Sequence, residues 1–210
     1  MKVKGVQDTI EWYNQNAAQY AKSIQDLAAL NQMDDFIKLL PNNNKKVLDA
    51  GCAAGRDSKI LAEKGAEMTG LDISSELLKI AKKDLPNIAF KQGSFLSLPF
   101  EDNSFGGIWS HASLLHCGTL DDVLTALKEF YRVLIKDGIL HVFVKVNTQN
   151  KKFDVVTDAI SHHDRFFQYF TNNELKDLLH KSGFKLIKME NEEDRAKRVE
   201  VRWIVSLSKK

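Results

Sequence analysis

Cysteine is nearly absent from this chain, and so is any long apolar run. Two cysteines, Cys52 and Cys117, occur in 210 residues. They form no CxxC pair and no Cys/His spacing of the kind that builds a structural metal site or a disulfide framework. A reducing, cytoplasmic setting is expected, and no metal. No segment approaches the roughly 20 apolar residues of a membrane span, and the first fifteen residues lack the apolar core of a signal peptide. An excess of one charge is also lacking: 30 basic residues face 28 acidic ones, for a formal charge of +2. Lysine pairs such as Lys45-Lys46 and Lys82-Lys83 are dispersed rather than gathered into the footprint that nucleic acid requires. Neither a membrane nor a nucleic-acid partner is therefore expected.

What is present is one ordinary core. With 43% hydrophobic residues, the chain suits a single domain over residues 1–210. Ile10, Tyr13, Ala17, Tyr20, Ile24 and Leu27, then Met33, Phe36 and Leu40, recur at helical spacing and predict two leading helices within residues 1–44. After the Pro41 to Asn44 turn, strands are expected at 46–50, 67–72, 88–91, 105–110 and 139–146. Helices are expected between them at 56–64, 75–84 and from Thr119 to Leu134. Residues 147–170 show no clean period and read as a lid or substrate region. Thr171 to Glu174 is a capping box, Gly183 ends the helix that follows, and strands at 184–190 and 199–206 close the chain as an antiparallel hairpin. The expected class is α/β: a doubly wound, mostly parallel seven-stranded sheet with an antiparallel last strand and N-terminal cap helices.

The stretch Val47-Leu48-Asp49-Ala50-Gly51-Cys52-Ala53-Ala54-Gly55-Arg56-Asp57-Ser58 is a strand, a loop of small residues and a helix start. Such a loop lets a ligand approach bare backbone beyond the carboxyl ends of the strands. Asp72 ends the second strand about 20 residues beyond Gly51, where a carboxylate reaches ribose hydroxyls in this architecture.

Those residues, with Gly93-Ser94-Phe95 before the fourth strand and the terminal hairpin, resemble the class I S-adenosylmethionine-dependent methyltransferases. The resemblance covers residues 46–146 best. It implies S-adenosylmethionine as cofactor, with Gly51, Ala53 and Gly55 against its methionine part and Asp49 at its amino group. Asp72 would meet the ribose, and Ile73, Ser94 and Phe95 the adenine. Ser110 would end the fourth strand facing the reacting groups. Arg56 either meets the cofactor's carboxylate or pairs with Asp57. Tyr13 and Tyr20 either cover the cofactor or are plain core. Ala53, Ser94 and Gly106 depart from the family, which usually has a glycine at the first position and aspartates at the other two.

Methyl transfer from a sulfonium is a direct displacement that needs mainly alignment, with a base only for a protonated nucleophile. His111 is the candidate catalytic residue. His116, Arg165 and Arg202 are candidates for contact with a small-molecule acceptor, and His162-His163 falls in the presumed lid. Two other functions compete. The departures would suit a SAM-binding protein without catalysis. An NAD-dependent oxidoreductase would share the strand and the carboxylate, but its G-x-G-x-x-G fingerprint is missing here. The acceptor and the oligomeric state are not legible.

Overall fold

Why the chain folds as it does is clearest at its caps and close approaches. In a computed structural model, which describes residues 5–148, 151–157, 164–198 and 201–210, seven strands form one sheet in the order β3-β2-β1-β4-β5-β9-β8. The strands are β1 (Lys46–Ala50), β2 (Glu67–Asp72), β3 (Ala89–Gln92), β4 (Phe105–His111), β5 (Leu134–Lys145), β8 (Lys185–Glu193) and β9 (Arg202–Lys209). The first five run parallel, and β9 runs antiparallel to both β5 and β8. The strand order reverses between β1 and β4, so a crevice is expected outside the carboxyl ends of these two strands.

Helices cover both faces. On one face Leu48, Ile108, Leu140 and Val142 pack with α6 (Leu120–Val133) and α7 (Asn172–Lys181). On the other, Val47, Met68 and Trp109 pack with α3 (Leu30–Leu39) and α4 (Arg56–Glu63). The Oγ of Ser74 accepts from the Leu77 amide to start α5 (Ser75–Asp84), Thr119 accepts from the Asp122 amide to start α6, and the Thr171/Glu174 capping box starts α7. Each cap satisfies amides that have no partner within the helix. No described helix is long and apolar enough to cross a membrane.

Four expectations are corrected. The leading segment holds three helices rather than two: α1 (Val6–Gln15), α2 (Ala17–Ser23) and α3. Asn16, at φ −107° and ψ 17°, leaves helical geometry and ends the first helix, with its side-chain amide donating to the Trp12 carbonyl at 2.9 Å; apolar spacing cannot register such a break, because the same face continues beyond it. Strand β5 begins at Leu134 rather than at residue 139, and Asp137, at φ 65°, lies inside it at a shift in register against β4. Residues 147–170 hold a hairpin, β6 (Phe153–Thr157) and β7 (Asp164–Gln168), that forms its own two-stranded sheet. The last strand lies at Arg202–Lys209, later than expected. His162 and His163, and residues 199 and 200 of the expected last strand, lie outside the described residues.

Gly106 also finds its reason here. A Cβ at this position would collide with the backbone carbonyl of Asn44, so the turn before β1 presses on the start of β4. Gly106→Asp is expected to lower the unfolding free energy by about 1–3 kcal/mol or more, read from the urea midpoint.

Candidate functional site

Two adjoining cavities, of about 470 and 510 Å³, open at the carboxyl edge of the sheet. They share a seam made by Tyr13, Tyr20, Gly51, Ala53, His111 and His116. Asp72, Ile73, Ser94 and Phe95 line the larger one, on the β2 side. Asp49, Arg56, Phe143, Lys145, Arg165 and Trp203 are among the residues lining the other, on the β5 side.

The loop after β1 makes the seam. Gly51 has φ 86°, and a Cβ on it would collide with the Ser113 side chain, so only glycine leaves its backbone bare there. Ala53 also sits in the left-handed region, at φ 48°, which costs a non-glycine residue of order 1 kcal/mol or more. Its amide donates to Asp72 Oδ2 at 2.8 Å, and the Ser74 amide donates to Asp72 Oδ1 at 2.8 Å. The carboxylate thus ties the loop to the turn after β2. Burial raises the Asp72 pKa although these amides oppose the shift. Beside Asp72, Ile73 leaves 42% of its surface exposed, an apolar side chain turned to the cavity rather than to the core. The Ser94 hydroxyl accepts from the Leu96 amide, and Phe95 packs edge-on against Phe130.

On the β5 side, Arg56 Nε donates to Asp57 Oδ1 at 2.6 Å and Arg56 Nη1 to the Ile24 carbonyl at 2.7 Å. Trp109 Nε1 donates to Asp57 Oδ2 at 2.9 Å. Burial opposes ionisation of Asp57, but the Arg56 guanidinium and these donors outweigh it and hold its pKa below the usual range. Asp49 accepts only from Ser58 Oγ among the described residues. Burial, and then the Asp57 charge, push its pKa up to about 8.

The histidines are neutral. Burial takes His111 down to about 3 and His116 down to about 4. His116 Nδ1 lies 2.8 Å from the Phe166 carbonyl and its Nε2 lies 3.0 Å from the Tyr13 hydroxyl. A carbonyl only accepts, so Nδ1 carries the proton and the Tyr13 hydroxyl donates to Nε2. Burial holds Tyr13 and Tyr20 protonated, and their rings meet edge to face at 4.9 Å. His111 lies flat on Phe143 with ring centroids 4.2 Å apart, and its buried Nδ1 has no hydrogen-bond partner among the described residues.

Three candidates fall outside both cavities. Leu85 Cδ1 and the Phe90 ring crowd the face of Gly55, at 2.7 and 3.1 Å from where a Cβ would stand, so its bareness serves packing against α5 and β3. Ser110 is fully buried, and its hydroxyl bonds to Ser113, which donates to the Ala50 carbonyl; it supports the loop from below. Arg202 pairs with Glu193 on the surface. Sequence reasoning missed Lys145, Phe143 and Trp203. Lys145 had a signal, since it is the one charged residue in the apolar run from Ile139 to Val146.

Residues 48–142 match the family described as a methyltransferase domain. The chain is 33% identical over 95 residues to a malonyl-[acyl-carrier protein] O-methyltransferase of Enterobacter lignolyticus, covering 45% of this chain and 37% of that protein. A ubiquinone/menaquinone biosynthesis C-methyltransferase of Rickettsia bellii is 28% identical over 190 residues, 75% of each chain. Among solved structures, a SAM-dependent methyltransferase of Methanosarcina mazei superposes with a TM-score of 0.73 at 23% identity, over 82% of this chain and 95% of that one. The chain spans under half the length of the first curated relatives it matches.

Asp49 sets a pH signature. A carboxyl whose pKa rises from 3.8 to about 8 on folding binds its proton more tightly in the native state, so it makes stability fall as pH rises between those values. The depressed histidines act in the opposite sense, but only below about pH 6.5. Between pH 6.5 and 8 the melting temperature of the wild type is therefore expected to fall relative to that of Asp49→Asn, as scanning calorimetry would record.

Proposed function

We propose that the chain, whose central region matches a methyltransferase domain and whose fold is that of SAM-dependent methyltransferases, is a class I S-adenosylmethionine-dependent enzyme that transfers a methyl group to a small-molecule acceptor. The pairing of Asp72 with Ile73 carries this reading: a carboxylate with lone pairs beyond its two backbone donors stands beside an apolar face open to the cavity. Ribose hydroxyls and an adenine ring need those two surfaces together. When bound, S-adenosylmethionine supplies a methyl carbon activated by its sulfonium.

The chain's own residues bind and orient. Asp72 accepts from the ribose, while Ile73 and Phe95 pack the base and the Ser94 hydroxyl meets its polar edge. The bare backbone of Gly51 and Ala53 lets the methionine part approach, Asp49 receives its ammonium and Arg56 its carboxylate. An incoming ammonium favours the charged form of Asp49, so binding expels the carboxyl proton that burial retains. Tyr13 and Tyr20 offer aromatic faces suited to a sulfonium. The cost of Ala53's conformation is met by its hydrogen bond to Asp72, and the absence of an aspartate at position 106 by packing against Asn44. Those two departures thus have structural causes and give no support to a protein without catalysis. A base whose conjugate acid has a pKa near 3 is poorly matched to proton abstraction at neutral pH, so His111 acts by orienting the acceptor. We place the reaction in the cytoplasm, where the buried free thiols of Cys52 and Cys117 suit a reducing medium.

Calorimetric titration with S-adenosylmethionine, S-adenosylhomocysteine and NADH tests this: the first two are expected to bind and NADH not to. Binding of NADH alone overturns the reading, and binding of S-adenosylmethionine without methyl transfer to any of a metabolite panel favours a non-catalytic role. Asp72→Ala is expected to weaken S-adenosylhomocysteine by about 1.5–3 kcal/mol, the range for hydrogen bonds to a charged group.

A further inference from the structure

Resting on that reading of the site, we propose that the β5-side cavity takes a small organic anion with a flat, unsaturated body, and that Lys145 anchors its negative group. Lys145 ends β5, is only 8% exposed and lines the cavity. Its Nζ makes no hydrogen bond or ion pair among the described residues. Its neighbours are rings: the ammonium stands 3.6 Å from the Phe167 centroid and 5.8 Å from that of Trp203.

The carboxylates that would serve it are engaged elsewhere. Asp194 is gripped by Arg198 through two nitrogens, at 2.7 and 2.8 Å, and by Trp203 Nε1 at 2.8 Å. Glu192 holds Arg195 and Gln32, and Asp57 holds Arg56. Arg165 adds a further guanidinium to the same wall, 4.3 Å from the Trp12 ring. A cation withdrawn from water without a counter-charge is costly unless a ligand brings one. Burial, with repulsion from Arg198 and Arg165, lowers the Lys145 pKa to about 8, against the pull of Asp194 and Asp154.

The wall beside Lys145 explains the flat body. His111, Phe143 and Trp203 stack in nearly parallel planes, with centroids 4.2 and 4.4 Å apart. Their faces cover one another, so the wall offers ring edges. Edges are the positive part of an aromatic quadrupole and favour a π-face or an anion set against them. An acceptor that arrives already ionised needs no strong base for its displacement chemistry, which agrees with two neutral, weakly basic histidines on the seam.

Tryptophan fluorescence titration with 4-hydroxybenzoate and 4-hydroxybenzamide, with and without S-adenosylhomocysteine, tests the proposal. The acid is expected to bind at least about tenfold more tightly than the amide. Lys145→Met and Lys145→Gln are expected to erase that preference and Lys145→Arg to retain it, with S-adenosylhomocysteine affinity unchanged in all three. Equal binding of acid and amide, no binding of either, or a preference that survives in Lys145→Met overturns it. Failure of S-adenosylhomocysteine to bind the wild type refutes the cofactor reading instead, and the titration without it still decides the anion site.

Discussion

Asp72 accepts two backbone hydrogen bonds, from Ala53 on the loop after β1 and from Ser74 at the start of α5, and the rest of the site depends on that bridge. Alone, the loop from Gly51 to Gly55 would be poorly determined, since small residues carry little packing and Ala53 occupies a region of backbone space that costs it free energy. The carboxylate selects one conformation by giving the Ala53 amide a charged acceptor, a stronger kind of hydrogen bond than a neutral one. Ser113 reinforces it from the other side by donating to the Ala50 carbonyl while filling the space over Gly51. Because the bridging oxygens also border the cavity, the group that shapes the loop is the group presented to a ligand.

A second constraint is the disposition of buried charge. Asp57 and Arg56 neutralise one another, Asp194 and Arg198 do the same, and Asp49 retains a proton. A carboxyl kept neutral by burial and a lysine with no ion-pair partner among the described residues lie on walls of the same cavity. Each is held away from its preferred ionic state or counter-charge. A ligand with a cation at one end and a neighbour with an anion would relieve both, which is the charge arrangement a methyl donor and an acidic acceptor bring together.

Much of this was legible in the sequence, because it follows from local chemistry. The bounds of β1, β2 and α5 follow from apolar runs and from Ser74 as a cap, and α6 and α7 from Thr119 and Thr171. The placement of Asp72, Ile73 and Gly51 at the cavities follows from their order around one parallel unit. Three kinds of fact were not legible. Asn16 breaks a helix by a local change of backbone dihedrals that leaves the apolar period untouched. Gly55 looks like a ligand glycine but faces Leu85 and Phe90, which are distant in sequence. The pairing of Lys145 with Trp203 across β5 and β9 depends on register, and register is settled only when the whole strand finds its partner. The β2-side half of the site is therefore readable along the chain, whereas the β5-side half is assembled from segments far apart.

Helix α1 shows how those two halves are made one. Asn14 accepts from the Ser74 hydroxyl and the Glu76 amide at the start of α5, on the β2 side. Less than a turn earlier, Tyr13 donates to His116, which in turn holds the Phe166 carbonyl of β7, while Thr9 accepts from the Phe166 amide. One helix thereby spans from the wall of the β2-side cavity to the hairpin that lines the β5-side cavity, with Tyr13 at the seam between them. Displacement at a sulfonium is sensitive to the line of nucleophile, carbon and sulfur and offers little else to stabilise. On the proposed reading, one helix that touches both cavities is the element that would fix that alignment, with few ionised groups on the seam.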